Sequence, residues 1–189
     1  QGARILSEIL PTALVNLPEG LRKRLVVTQQ AREEDLDSVR KTYDGSQIDV
    51  TLAPFIDDIP ERLRDCHLVI ARSGASTVAE LTAAGRPGFL VPLPHAIDDH
   101  QRYNAQQVED AGGAWLMPQD RFGSEAVTDR LAKLLTNPAA LTRAAKAAKS
   151  SGRANAAERL ADMVLDMLGL NPAGSPDNKN MSKDRGDMQ

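Results

Sequence analysis

The sequence predicts an α/β fold, a doubly wound domain built on a mainly parallel sheet. Two observations predict it. Short apolar strand-like runs alternate with helix-period stretches along the chain. Helices placed between strands act as crossovers, and crossover connections require parallel neighbours in a sheet covered on both faces.

The elements follow in order. Ile5, Leu6, Ile9, Leu10, Ala13 and Leu14 recur at helical spacing, and Pro11 is expected to end or kink that helix. The β-branched run Leu25 to Thr28 is a strand, and Asp35, Leu36, Val39 and Tyr43 give the next helix. Ile48, Val50 and Leu52 alternate with polar residues as a second strand. A short helix from Ile59 to Arg64 follows, with Asp57 and Asp58 expected as its caps. His67 to Ala71 is an apolar strand, Ser73 to Thr77 a turn of small residues, and Val78 to Ala84 a helix stopped by Gly85. Gly88 to Val91 repeats the strand pattern. A helix from Asp99 to Ala111 leads to the last strand, Ala114 to Met117, with Trp115 as a packing residue. Ala126 to Leu135 and Leu141 to Ala148 are Ala- and Leu-rich helices, and Val164, Leu165 and Leu168 close the ordered part. No repeat of fixed period is present.

Composition bounds the function. A chain of 189 residues with 41% hydrophobic content suits one compact domain. We place that domain at residues 1–170 and expect the polar segment 171–189 to be a disordered tail, because it has too little apolar surface to offset its ordering entropy. Net charge is −3 and the basic residues are scattered among acids, which argues against nucleic acid as a partner. Cys66 is the only cysteine, so an internal disulfide framework is excluded and a reducing, cytoplasmic setting is expected. No apolar run is long enough to span a bilayer, so membrane contact is expected to be peripheral. The chain opens on Gln1-Gly2-Ala3 without methionine and runs directly into a helix, which reads as a fragment.

In a doubly wound sheet, ligands bind beyond the carboxyl ends of the strands. Ser73, Gly74, Ala75, Ser76 and Thr77 stand there between a strand and a helix. Small side chains let backbone amides and the positive helix end approach a phosphate, although Ser76 or Thr77 could equally serve as a plain cap. Glu80 lies one turn further and could accept hydrogen bonds from both ribose hydroxyls, or simply complement the helix dipole. His95, Asp98, Asp99, His100, Gln101 and Asn104 form a polar cluster at the next helix start. Acids are expected there as caps, so no metal and no cofactor is predicted. Cys66 and His67 read as core-adjacent rather than catalytic.

Together, Phe55-Ile56-Asp57-Asp58, the stretch from Ile70 to Glu80, Gly85-Arg86-Pro87 with Val91-Pro92, and Asp99-His100-Gln101 with Asn104-Ala105 resemble the MurG family of glycosyltransferases. The resemblance runs from Gln1 to about Leu168 and implies the Rossmann-like C-terminal domain of a two-domain GT-B enzyme. It implies inverting, metal-independent transfer of N-acetylglucosamine from UDP-N-acetylglucosamine to lipid I, giving lipid II for peptidoglycan. The setting it implies is the cytoplasmic face of the bacterial plasma membrane. It further implies that Ile56 contacts uracil through its backbone, that Ser73 to Thr77 face the pyrophosphate, that Glu80 holds the ribose, and that Gln101, with His100 beside it, holds sugar hydroxyls. No catalytic residue is expected in this chain, since the family's acceptor loops and proposed base lie in an N-terminal domain. Gly-Gly-Ser, which precedes Gln-Gly-Ala in the family, is not part of this sequence, and Val27 to Ala31 replaces the family's His-Gln-Thr-Gly form. Two alternatives stay open: a nucleotide-sugar-binding subunit of a two-chain transferase, and another GT-B enzyme such as a UDP-N-acetylglucosamine epimerase.

Overall fold

Alternation along three short strands sets up the two faces of the domain. In the computed structural model, which describes residues 3–94 and 99–152, β3 (Val69–Ala71), β4 (Gly88–Leu90) and β5 (Ala114–Leu116) run parallel. Ile70, Phe89 and Trp115 are in register, as are Ala71, Leu90 and Leu116 one residue on. Side chains alternate across a strand, so the two sets point to opposite faces. Phe89 joins Ile70 and Trp115 in one core, with Leu10, Ala13 and Leu14 of α1 (Arg4–Val15) and Val127, Leu131 and Leu134 of α7 (Ser124–Leu135). Leu90 and Ala114 enter a second core, with Leu81 of α5 (Ala75–Ala84) and Ala105 and Val108 of α6 (His100–Asp110). Helices thus cover both faces, as the doubly wound class requires.

The remaining strands, β1 (Val26–Gln30) and β2 (Asp49–Ala53), also pair in parallel, with Val26 opposite Asp49 and Gln30 opposite Ala53. Among the described residues no ladder joins this pair to β3, so the parallel strands stand as a group of two and a group of three. The first core holds the groups together, because Val27, Val50 and Ile70 all pack against it. Between β1 and β2 the chain forms a 3-10 turn, Glu33–Asp35, and then α3 (Leu36–Tyr43). α2 (Glu19–Arg22) precedes β1, and α4 (Ile59–Asp65) follows β2.

Several local expectations are corrected. Pro11 does not end α1, which continues to Val15; its ring is among the most deeply buried groups, so core packing outweighs the hydrogen bond that proline forgoes. Neither Asp57 nor Asp58 makes a capping bond at α4: Asp58 is the residue before the helix, but its carboxylate accepts from Arg62 Nε at 2.9 Å. α5 starts at Ala75, not Val78, so Ala75, Ser76 and Thr77 form its first turn rather than a loop. Gly85 ends α5 as expected, with φ 66° and ψ 47°. The amides of Gly85 and Arg86 donate back to Thr82 and Leu81. α8 (Pro138–Ser151) is longer than expected, because Asn137 accepts from the Ala140 amide at 3.0 Å and Pro138 opens the first turn. His67 is exposed and Cys66 half-buried. Val164, Leu165, Leu168 and the segment 171–189 lie outside the described residues.

Candidate functional site

β3 and β4 end side by side, and the loops beyond them carry most of the polar residues singled out in the sequence. Gly74 is the residue before α5, with φ −59° and ψ 153°, and no side chain caps the helix. The first amides of α5 are therefore left to an outside acceptor, and the positive end of the helix dipole lies with them. A Cβ built on Gly74 meets nothing within 4 Å. The fold does not need glycine at this position, and the space left open lies beside the helix start. Ala75 and Ser76 are exposed, while Gly74 and Thr77 are half-buried. Glu80 is exposed on the second turn of α5.

Ser73 differs from its neighbours. It is 0% exposed, and its hydroxyl donates to the main-chain carbonyl of Gln101 at 2.7 Å. The side-chain amide of Asn104 donates to the Ser73 carbonyl at 3.0 Å. Ser73 thus fastens the start of α6 to the end of β3, and in this structure its hydroxyl is not turned outward. The Leu93 amide donates to Gln101 Oε1 at 3.1 Å, which leaves the Gln101 –NH2 as the donor face of that side chain.

Arg72 was not among the residues singled out as a site. One of its guanidinium nitrogens donates to the carbonyls of Val91 at 3.1 Å and Pro92 at 2.9 Å, and the other donates to Gln119 Oε1 at 2.6 Å. Burial holds its pKa below the usual arginine value. No short-range pattern marks Arg72, because Gln119 lies 47 residues away in the chain.

The other candidates sit around this centre. His100 is the exposed first residue of α6. Asp99 precedes it with φ 52° and makes no side-chain cap, contrary to the capping expected of it. His95 and Asp98 lie outside the described residues. Ile56 is half-buried in the loop beyond the end of β2, and α4, three residues on, packs beside α5. Phe55 next to it, which opens the motif quoted for the resemblance but was given no role there, is 69% exposed. Among the described residues no three His, Cys, Asp or Glu side chains are grouped to hold a metal ion. No helix among them is long and apolar enough to cross a membrane.

The arrangement can receive an anion at the α5 start, a hydroxyl pair at Glu80 and a hydrogen-bond acceptor at Gln101. Known proteins resemble the chain in sequence and in fold. Residues 1–160 match the glycosyltransferase family 28 C-terminal domain. A Paramagnetospirillum magneticum protein named UDP-N-acetylglucosamine–N-acetylmuramyl-(pentapeptide) pyrophosphoryl-undecaprenol N-acetylglucosamine transferase is 58% identical over 168 residues, covering 89% of this chain and 45% of that protein. A protein of the same name from Rhodospirillum centenum is 56% identical over 180 residues, 95% of this chain and 48% of that protein. The crystal structure of Acinetobacter baumannii MurG superposes with a TM-score of 0.77 at 32% identity, over 88% of this chain and 47% of that one. The glycosyltransferase VinC, solved with dTDP, shares the fold at 18% identity and a TM-score of 0.65, over 85% of this chain and 39% of its own. The chain spans about half the length of the curated relatives it matches. By sequence and by fold alike, the chain belongs to glycosyltransferase family 28, as its C-terminal domain.

Proposed function

We propose that this chain is the donor-binding domain of an inverting N-acetylglucosaminyltransferase that uses UDP-N-acetylglucosamine and acts on lipid I at the inner face of the bacterial membrane. The observation that carries the reading is the uncapped start of α5 beside the open space at Gly74, set at the carboxyl ends of β3 and β4. The diphosphate of the donor is received by the amides of Ala75, Ser76 and Thr77, where helix partial charge favours anions. Glu80 takes the ribose hydroxyls, the backbone at Ile56 meets the uracil, and the exposed Phe55 ring offers a surface for the base. Gln101, with His100 beside it, takes the sugar. The α5 amides also stabilise charge growing on the departing UDP, while the base that activates the acceptor comes from outside this domain. The names of the relatives support the substrates.

Calorimetry on the intact protein tests the reading. UDP-N-acetylglucosamine and UDP are expected to bind, Glu80→Ala to weaken both, and Gln101→Ala to weaken the sugar nucleotide more than UDP. Unchanged affinities in both variants would remove these assignments. Product analysis with lipid I separates transfer from epimerisation of the donor.

A further inference from the structure

Resting on the donor-domain reading, we propose that Arg72 is a positioning residue that sets the orientation of the Gln101 side chain by gripping the peptide plane between Pro92 and Leu93. That plane is held at both ends. Its carbonyl, on Pro92, accepts from Arg72 at 2.9 Å, and its N–H, on Leu93, donates to Gln101 Oε1 at 3.1 Å. Carbonyl and N–H of one planar peptide point in opposite directions, so fixing the oxygen fixes where the hydrogen points. An N–H can only donate. It therefore selects the oxygen of the Gln101 amide and turns the –NH2 away from itself.

Two further bonds make the orientation rigid. The same Arg72 nitrogen also reaches the Val91 carbonyl at 3.1 Å, and the second nitrogen is braced by Gln119 at 2.6 Å. The backbone of Gln101 is held separately by the Ser73 hydroxyl at 2.7 Å, so the residue is fixed at its main chain from β3 and at its side chain from the loop after β4. Charge-assisted bonds from a desolvated guanidinium are stronger than neutral ones, and its planar fork serves two partners at once in a way an ammonium does not. The consequence is a chemical restriction on the ligand. With one lone pair of its oxygen engaged at Leu93, Gln101 presents its –NH2 donors away from the loop, so the site favours a sugar-nucleotide that places an acceptor oxygen at that point.

The test uses the intact protein with Arg72→Met, Arg72→Lys and Gln101→Glu. Amide hydrogen exchange at Leu93 reads the grip directly, without any ligand. Arg72→Met is expected to speed exchange at Leu93 and to lower affinity for UDP-N-acetylglucosamine about tenfold, while UDP alone changes less than about twofold. Arg72→Lys recovers part of both effects. Gln101→Glu keeps the bond to Leu93 but offers no donor, so it loses sugar-nucleotide affinity with Leu93 exchange unchanged. Added to Gln101→Ala, Arg72→Met costs no further affinity, since both act through one group. Unchanged Leu93 exchange in Arg72→Met overturns the grip. Equal losses for UDP and UDP-N-acetylglucosamine overturn its selectivity. Wild-type protein that binds neither nucleotide sinks the donor-domain reading instead, and Leu93 exchange still decides the grip.

Discussion

The Ser73 hydroxyl and the Gln101 carbonyl lie 2.7 Å apart, and this bond ties the exit of β3 to the entry of α6 across 28 residues of chain. Loss of the hydroxyl removes this tie, while the Gln101 carbonyl keeps its place in the α6 ladder. Ser73→Ala is expected to lower unfolding free energy by about 0.5–1.5 kcal/mol, measured by urea denaturation. Ser76→Ala, at an exposed position of the same segment, is expected to change stability by less than about 0.5 kcal/mol. Equal stability losses in the two variants would contradict the separation of roles.

Gly74 offers the complementary case. Its backbone angles suit any L residue, and a Cβ meets nothing within 4 Å. Gly74→Ala is expected to leave stability unchanged or raise it by up to about 1 kcal/mol, because the unfolded chain loses freedom. The added methyl narrows the space beside the α5 amides, so UDP affinity falls. Calorimetry paired with thermal unfolding checks both signs, and full UDP affinity in a stable variant would show that nothing approaches closely there.

Gly113 is required for packing. A Cβ on it would lie 2.7 Å from the backbone of Ala148 in α8. Gly113→Ala must push α8 away from the start of β5 and is expected to lower stability by roughly 1–3 kcal/mol. A denaturation midpoint equal to wild type would mean that α8 shifts freely.

Tyr43 buries its hydroxyl and donates to Gln29 Oε1 at 2.7 Å, beneath α3, while Gln29 Nε2 has no partner among the described residues. Burial raises the phenol pKa above its ordinary value. An acid whose folded pKa is raised keeps its proton in the native state while the unfolded chain releases it. Stability is therefore full below the unfolded pKa of about 10 and falls as pH rises beyond it. Tyr43→Phe is expected to cost about 1–3 kcal/mol at neutral pH by leaving Gln29 unpaired, and to flatten the alkaline slope. Urea denaturation at several alkaline pH values checks this; an identical slope in the variant would assign the titration elsewhere.

Periodicity carries information only between residues a few places apart, and this sets what could be read before folding. Alternation at Ile48, Val50 and Leu52, the apolar run at His67 to Ala71 and the glycine at 85 are local, so the strand and helix order and the parallel class were legible from them. The clustering of Ser73 to Thr77 after a strand was legible as a candidate site region, and the resemblance to one family was carried by contiguous residues. Pro11 shows where such reading stops. Its local penalty is real, but the helix continues with the ring buried, and the elements packed on α1, namely α3 and α7, come from distant parts of the chain. Ser73 and Ser76 are the same residue type three places apart, yet one is buried as a fastening and the other exposed. Arg72 draws its meaning from Pro92 and Gln119. Sequence alone determined the fold class and the order of the main elements. Tertiary structure alone decided which polar groups face outward and which hold the site together, because hydrogen-bond partners are chosen by spatial proximity and burial.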